Sequence, residues 1–232
     1  MAKRDNTTPL YVVCSPCRRV GKTLVSRLLI EFYVVNDRPV AAFDLADEGP
    51  QLADYLPDIT TMADISDTRG QMAFFDQLLA EDMRAKIIDL NHRAFTNFFT
   101  VVQAIRFFEE ARHRSIEPLI LFIIDPDPKS AKTYAMLRHN ISQMSLLPVR
   151  NQIRAAPYGD ALPKANIAPS SLDIPLLSFP LRAIIDQQSF SFSRFWRATS
   201  ADLPVPLKDE LSRWVERGFL QFRVLEHLLG SA

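Results

Sequence analysis

Apolar and polar positions alternate along this chain in two rhythms. Consecutive apolar runs at Leu10–Cys14, Val40–Phe43 and Leu119–Ile124 read as strands, and the last is apolar throughout, as expected of a strand covered on both faces. Lys86–Leu90 ("KIIDL") reads as a further strand, and Leu146–Val149 and Ile174–Leu177 as weaker ones. Between them, apolar residues recur at helical spacing over Thr23–Val35, Phe98–Ala111, Ser130–Met144 and Lys208–Leu229, the last with an expected interruption near Gly218. This alternation predicts an α/β fold, a mostly parallel sheet flanked by helices on both faces as a three-layer sandwich. Residues 1–9 are expected as a flexible tail and residues 10–232 as a single domain. Ala155–Asp173, with Pro157, Gly159, Pro163 and Pro169, reads as a long loop.

In sheets of this kind ligands gather at the carboxyl ends of the strands. The residues to inspect are therefore Ser15–Thr23, Asp44–Gln51, Asp89–His92, Asp125–Lys129, Asn151–Ala156 and Ser178–Leu181. The first of these carries the sharpest signal. Within "CSPCRRVGKTLVSRLL" (Cys14–Leu29), Gly21-Lys22-Thr23 completes the end of a phosphate-binding loop, G-x-x-x-x-G-K-(S/T), with a strand before it and a helix after it. The position of the first glycine is Pro16, which removes one amide donor and fixes one backbone angle. Main-chain amides over Arg18, Arg19, Val20, Gly21, Lys22, Thr23 and Leu24 would cradle phosphate, Lys22 would neutralise its charge and Thr23 would hold Mg²⁺. Arg18 and Arg19 add two guanidinium groups that could face phosphate oxygens. The "CSPC" spacing of Cys14 and Cys17 also fits a redox pair, a weaker reading because Cys14 would end a buried strand.

Composition narrows the partners. Lys+Arg and Asp+Glu both number 27, so the formal net charge is zero and bulk electrostatics point to neither nucleic acid nor an anionic membrane. Two cysteines make no disulfide framework, and the four histidines have no metal-ligand spacing. The absence of a long apolar run leads to the expectation of a cytoplasmic protein. Sixteen prolines against six glycines predict stiff connections.

With the loop and the ordered strand ends in view, the chain resembles the ParA/MinD-type partitioning ATPases, within the wider class that includes dethiobiotin synthetases. The matching segments are "VGKTLVSRLL", "AAFDLADEGPQLADYL", "KIIDL", "LILFIIDPDPKSAKTYAMLR", "PVRNQI" and "IPLLSFPLRAIIDQ", in family order over roughly residues 10–190. The resemblance implies a P-loop NTPase-like fold, ATP or ADP with Mg²⁺ as cofactors, slow ATP hydrolysis, ATP-driven homodimerisation, and a protein cargo or adaptor as partner. It implies Asp44 as the residue that orients the attacking water, Asp89 in the outer shell of the metal, and Asn151 as a contact to the base. Read from the residues alone, Asp44 and Asp89 serve equally as caps, Asp125 and Asp127 as turn formers, and Asn151 as a loop hydrogen bond. Two departures stand out: Cys17 occupies the place of the signature lysine, and Arg18 and Arg19 replace the paired glycines.

Two C-terminal stretches remain. "SFSFSRFWR" (residues 189–197) reads as core, and the amphipathic Lys208–Leu229 as a helix packed on the sheet rather than docked on a membrane or DNA. Three functions follow from the sequence: a Mg–ATP-dependent switch that positions cargo, a non-catalytic relative serving as a binding or scaffold module, and, more weakly, a ligase of the dethiobiotin-synthetase type.

Overall fold

The structure, a computed structural model, describes residues 7–45, 51–141, 145–153, 171–198 and 203–229, with the side chains of residues 227–229 excepted. Seven strands form one parallel sheet: β1 (Thr8–Cys14), β2 (Val40–Asp44), β3 (Thr60–Met62), β4 (Ala85–Asp89), β5 (Ile116–Ile124), β6 (Ser145–Asn151) and β7 (Leu172–Ile174). Their order across the sheet is β3-β2-β4-β1-β5-β6-β7. Four consecutive neighbours in that order, β2, β4, β1 and β5, contain the apolar runs read from the sequence. The helices among the described residues are α1 (Lys22–Val35), α2 (Leu52–Tyr55), α3 (Thr68–Leu78), α4 (Phe95–Ala104), α5 (Phe107–His113), α6 (Pro128–Asn140), α7 (Phe179–Ile185), α8 (Phe192–Arg197) and α9 (Val205–Leu229). The chain is thus an α/β three-layer sandwich.

The two faces of the sheet bury separate apolar clusters. On one face Tyr11, Val13, Ile87, Leu121 and Val149 meet α1 and the helices α7 to α9, through Leu28, Phe32, Leu181, Phe192, Trp214 and Phe222. On the other, Leu10, Val12, Ile88, Ile120 and Phe122 meet α3 to α6, through Phe74, Phe98, Phe107 and Leu137. Alternate residues of β1 feed opposite faces, as the two-residue period of a strand requires.

Several boundaries differ from expectation. β1 begins at Thr8, so the last two residues assigned to the tail belong to the sheet. The helix expected over Phe98–Ala111 is two helices, because Arg106 adopts a left-handed conformation (φ 50°) between α4 and α5. α9 runs through Gly218 without a break; a Cβ there would lie 2.8 Å from Leu28 Cδ2, so glycine serves close approach to α1. The strand expected at Ile174–Leu177 is instead β7 followed by the entry to α7. The expected helix Ser130–Met144 is α6, ending at Asn140, and residues 142–144 lie outside the described set. Most of the long loop, residues 155–170, lies outside it too, while its last two residues are in β7. In "SFSFSRFWR", Phe192 and Phe195 are buried in the core and Trp196 is partly exposed against Phe219.

Candidate functional site

Strand register brings the candidate residues together before any side chain is considered. Asp44 at the end of β2 pairs with Asp89 at the end of β4, and Asp89 pairs with Val13, next to the end of β1. The loop from Ser15 to Gly21 leaves that same edge and enters α1. Gly21 (φ 88°, ψ 32°) and Arg19 (φ 57°) are both left-handed, and Arg18 and Val20 are not. Left-handed residues at alternate positions turn successive N–H groups toward one concavity, the arrangement that binds anions. No side chain caps the first amides of α1 and no acid lies in its first turn, so the positive helix end is left to whatever enters the loop.

The side chains complete this cradle. Lys22 folds back so that Nζ donates to the Cys17 carbonyl at 2.7 Å, spanning the loop. Thr23 Oγ1 donates to Asp89 Oδ2 at 2.7 Å. The other oxygen, Asp89 Oδ1, is buried and accepts no hydrogen bond among the described residues. Burial, and then the nearby Asp44 carboxylate, push the Asp89 carboxyl up to about 7, with Thr23, Lys22 and the adjacent Ser26 hydroxyl pulling the other way. Burial lowers the Lys22 ammonium, and Asp89 partly restores it. A hydroxyl joined to a buried carboxylate with one oxygen unsatisfied fits a hydrated divalent cation, which would raise local positive charge and relieve the acid pair.

The remaining expected residues fall in the places that their readings as caps, turn formers and loop hydrogen bonds anticipate, or beside the loop. Asp44 accepts from the Leu52 and Ala53 amides at 2.5 and 3.3 Å, so in this state it holds the start of α2. Asn151 is 1% exposed and donates from Nδ2 to the Val20 carbonyl at 2.9 Å, which places it behind the loop. Val20 is buried and Leu24 packs in the core, so both contribute through main-chain groups. Arg18 and Arg19 are exposed beside the cradle. Asp125 accepts from the Asp127 amide and Asp127 from the Lys129 amide, making a turn and the cap of α6. Their carboxylates and the Cys17 thiol lie within 4.8 Å of one another. Cys14 and Cys17 are free and buried, and burial pushes both thiols up.

Residues not singled out in the sequence fix α1 itself. Arg27, 2% exposed, donates to the Ile185 and Phe190 carbonyls at 2.8 and 3.0 Å and lies 3.9 Å from the Tyr55 ring centroid. Four residues on, the fully buried Glu31 accepts from Ser191 Oγ and, at 2.8 and 3.0 Å, from the Ser193 amide and hydroxyl. The signal was two opposite charges four apart in an otherwise apolar helix, a spacing that puts both on one face. Compared with known proteins, the sequence matches no family model and no curated protein. Among the described residues, no helix is long and apolar enough to cross a membrane.

Proposed function

We propose that the protein is a nucleotide-binding switch of ParA/MinD type that takes Mg–ATP and positions cellular cargo. The observation that carries this reading is the joint geometry of Lys22 across the loop at 2.7 Å from the Cys17 carbonyl and Thr23 at 2.7 Å from Asp89. In this reading the amides of residues 18–24 receive the phosphates and Lys22 exchanges the Cys17 carbonyl for phosphate oxygens. Thr23, with Asp89 behind it, holds Mg²⁺, which supplies charge neutralisation between the terminal phosphates. Titration with a fluorescent ATP analogue and Mg²⁺ tests it. The wild-type protein binds, and Lys22→Ala weakens binding by at least about a hundredfold. Equal affinity of the two proteins overturns the reading.

A second reading, nucleotide binding without turnover, is favoured by Asp44. One of its oxygens, Oδ2, accepts both α2 amides, which ties the side chain to the start of α2 rather than to an attacking water. Sustained phosphate release above a Lys22→Ala control counts against this second reading. Release no greater than that control removes hydrolysis from the first.

A further inference from the structure

We infer that Asn151 is a positioning residue that clamps the crest of the phosphate loop. A primary amide carries two donors on nitrogen and one acceptor oxygen. In Asn151 both ends are engaged: Nδ2 donates to the Val20 carbonyl at 2.9 Å, and Oδ1 accepts from the Ile153 amide at 3.2 Å. The side chain is enclosed, with 1% of the residue exposed. Turning the side chain away from the loop would break both bonds and strand a buried carbonyl at Val20.

The carbonyl it holds is the one the loop most needs held. Val20 lies between the two left-handed residues, Arg19 at φ 57° and Gly21 at φ 88°. Glycine adopts that conformation freely, but for arginine it costs roughly 1–2 kcal/mol, so something outside the loop must keep Arg19 there. Asn151 reaches the loop from the end of β6, two strands from β1, and is anchored by the sheet through the pairing of β6 with β5 and β7. The loop is therefore pinned at two points of different kind. Lys22 holds the Cys17 carbonyl with a group that an arriving phosphate would recruit. Asn151 holds the Val20 carbonyl with a group that stays in place whether or not the cradle is filled. The inference rests on the nucleotide reading for its ligand, but not for the contact itself.

The experiment compares wild type with Asn151→Leu, which keeps the branched shape in a larger apolar side chain and loses both bonds, and Asn151→Asp, which sets an acceptor against the Val20 carbonyl. Affinities for Mg–ATP, Mg–GTP and Mg–tripolyphosphate are measured alongside amide hydrogen exchange. A clamp predicts that ATP and tripolyphosphate weaken together by about tenfold, the loss of one buried hydrogen bond, with the ATP-to-GTP preference unchanged. It also predicts faster exchange at residues 18–21 with the amides of β1 unaffected, which a general loosening of the fold would not give. Loss of ATP affinity with tripolyphosphate untouched, or an altered base preference, overturns the inference. If wild type binds neither ATP nor tripolyphosphate, the nucleotide reading falls, and unchanged exchange at residues 18–21 in the variants then overturns the clamp separately. Should neither variant fold, the wild-type protein supplies the test by NMR. The Asn151 side-chain amide protons are expected to exchange slowly, and rapid exchange overturns the clamp.

Discussion

At the scale of single residues, burial disfavours the ionised form of Asp89. It ends β4 in a buried position beside Asp44, and its carboxyl is raised from 3.8 to about 7. A carboxyl raised by folding binds its proton more tightly in the native state than in the unfolded chain. The stability that proton confers is complete below pH 3.8 and is lost as the pH rises toward about 7. Asp89→Asn has no proton to lose. The nucleotide-free wild type should therefore lose stability relative to Asp89→Asn between those limits, by up to about 4 kcal/mol, and hold a constant difference above them. Urea unfolding of both proteins across that range checks this, and a difference that does not vary with pH refutes the account of Asp89. A cation beside Oδ1 would relieve what burial imposes on this residue.

Among the elements, α1 and α9 approach closely at Gly218. Gly218 admits Leu28, and a larger residue must displace it: a Cβ would stand 2.8 Å from Leu28 Cδ2. The end of a leucine can swing aside, so Gly218→Ala is expected to be mild, whereas the branched Gly218→Val should cost about 1–3 kcal/mol. Thermal unfolding of the two variants reads the contrast, and equal melting temperatures contradict it. This contact was misread from the sequence, where glycine within an amphipathic helix looks like a break. Elements with continuous apolar runs, such as β5 and β1, were legible because burial on both faces leaves no polar position. β3 was not: three residues long at the sheet edge, with Thr61 and Met62 exposed, it carries no periodic signal. Nor was α3, whose buried side chains are only Phe74, Phe75 and Leu78. The meeting of Lys22, Thr23 and Asp89 at one end of the sheet was legible from motif and strand ends. The attachment of Asn151 to Val20 was not, since it joins residues 131 apart and depends on strand order.

For the whole molecule, the sheet divides two apolar layers, and the layer containing α1 is also crossed by polar ties. Tyr33 on α1 donates to Glu226 on α9 at 2.6 Å and shares a 3.0 Å hydrogen bond with Tyr11 of β1, while Arg38 reaches the same glutamate. With Arg27 and Glu31 bound to the segment before and within α8, the helix that follows the Ser15–Gly21 loop is fastened along its length. Opening the loop end of the molecule therefore requires disturbing much of that layer. The chain's two cysteines stand at this end, both buried. Neither offers an accessible thiolate, so a coloured disulfide reagent should modify the native protein at least about a hundredfold more slowly than the urea-unfolded chain. Prompt reaction of both in native buffer would contradict the packing described. Labelling kinetics thus give the protein an intrinsic chromogenic gauge of breathing at its strand tips, readable without an introduced probe, and any molecule that settles over Cys17 should slow the colour further.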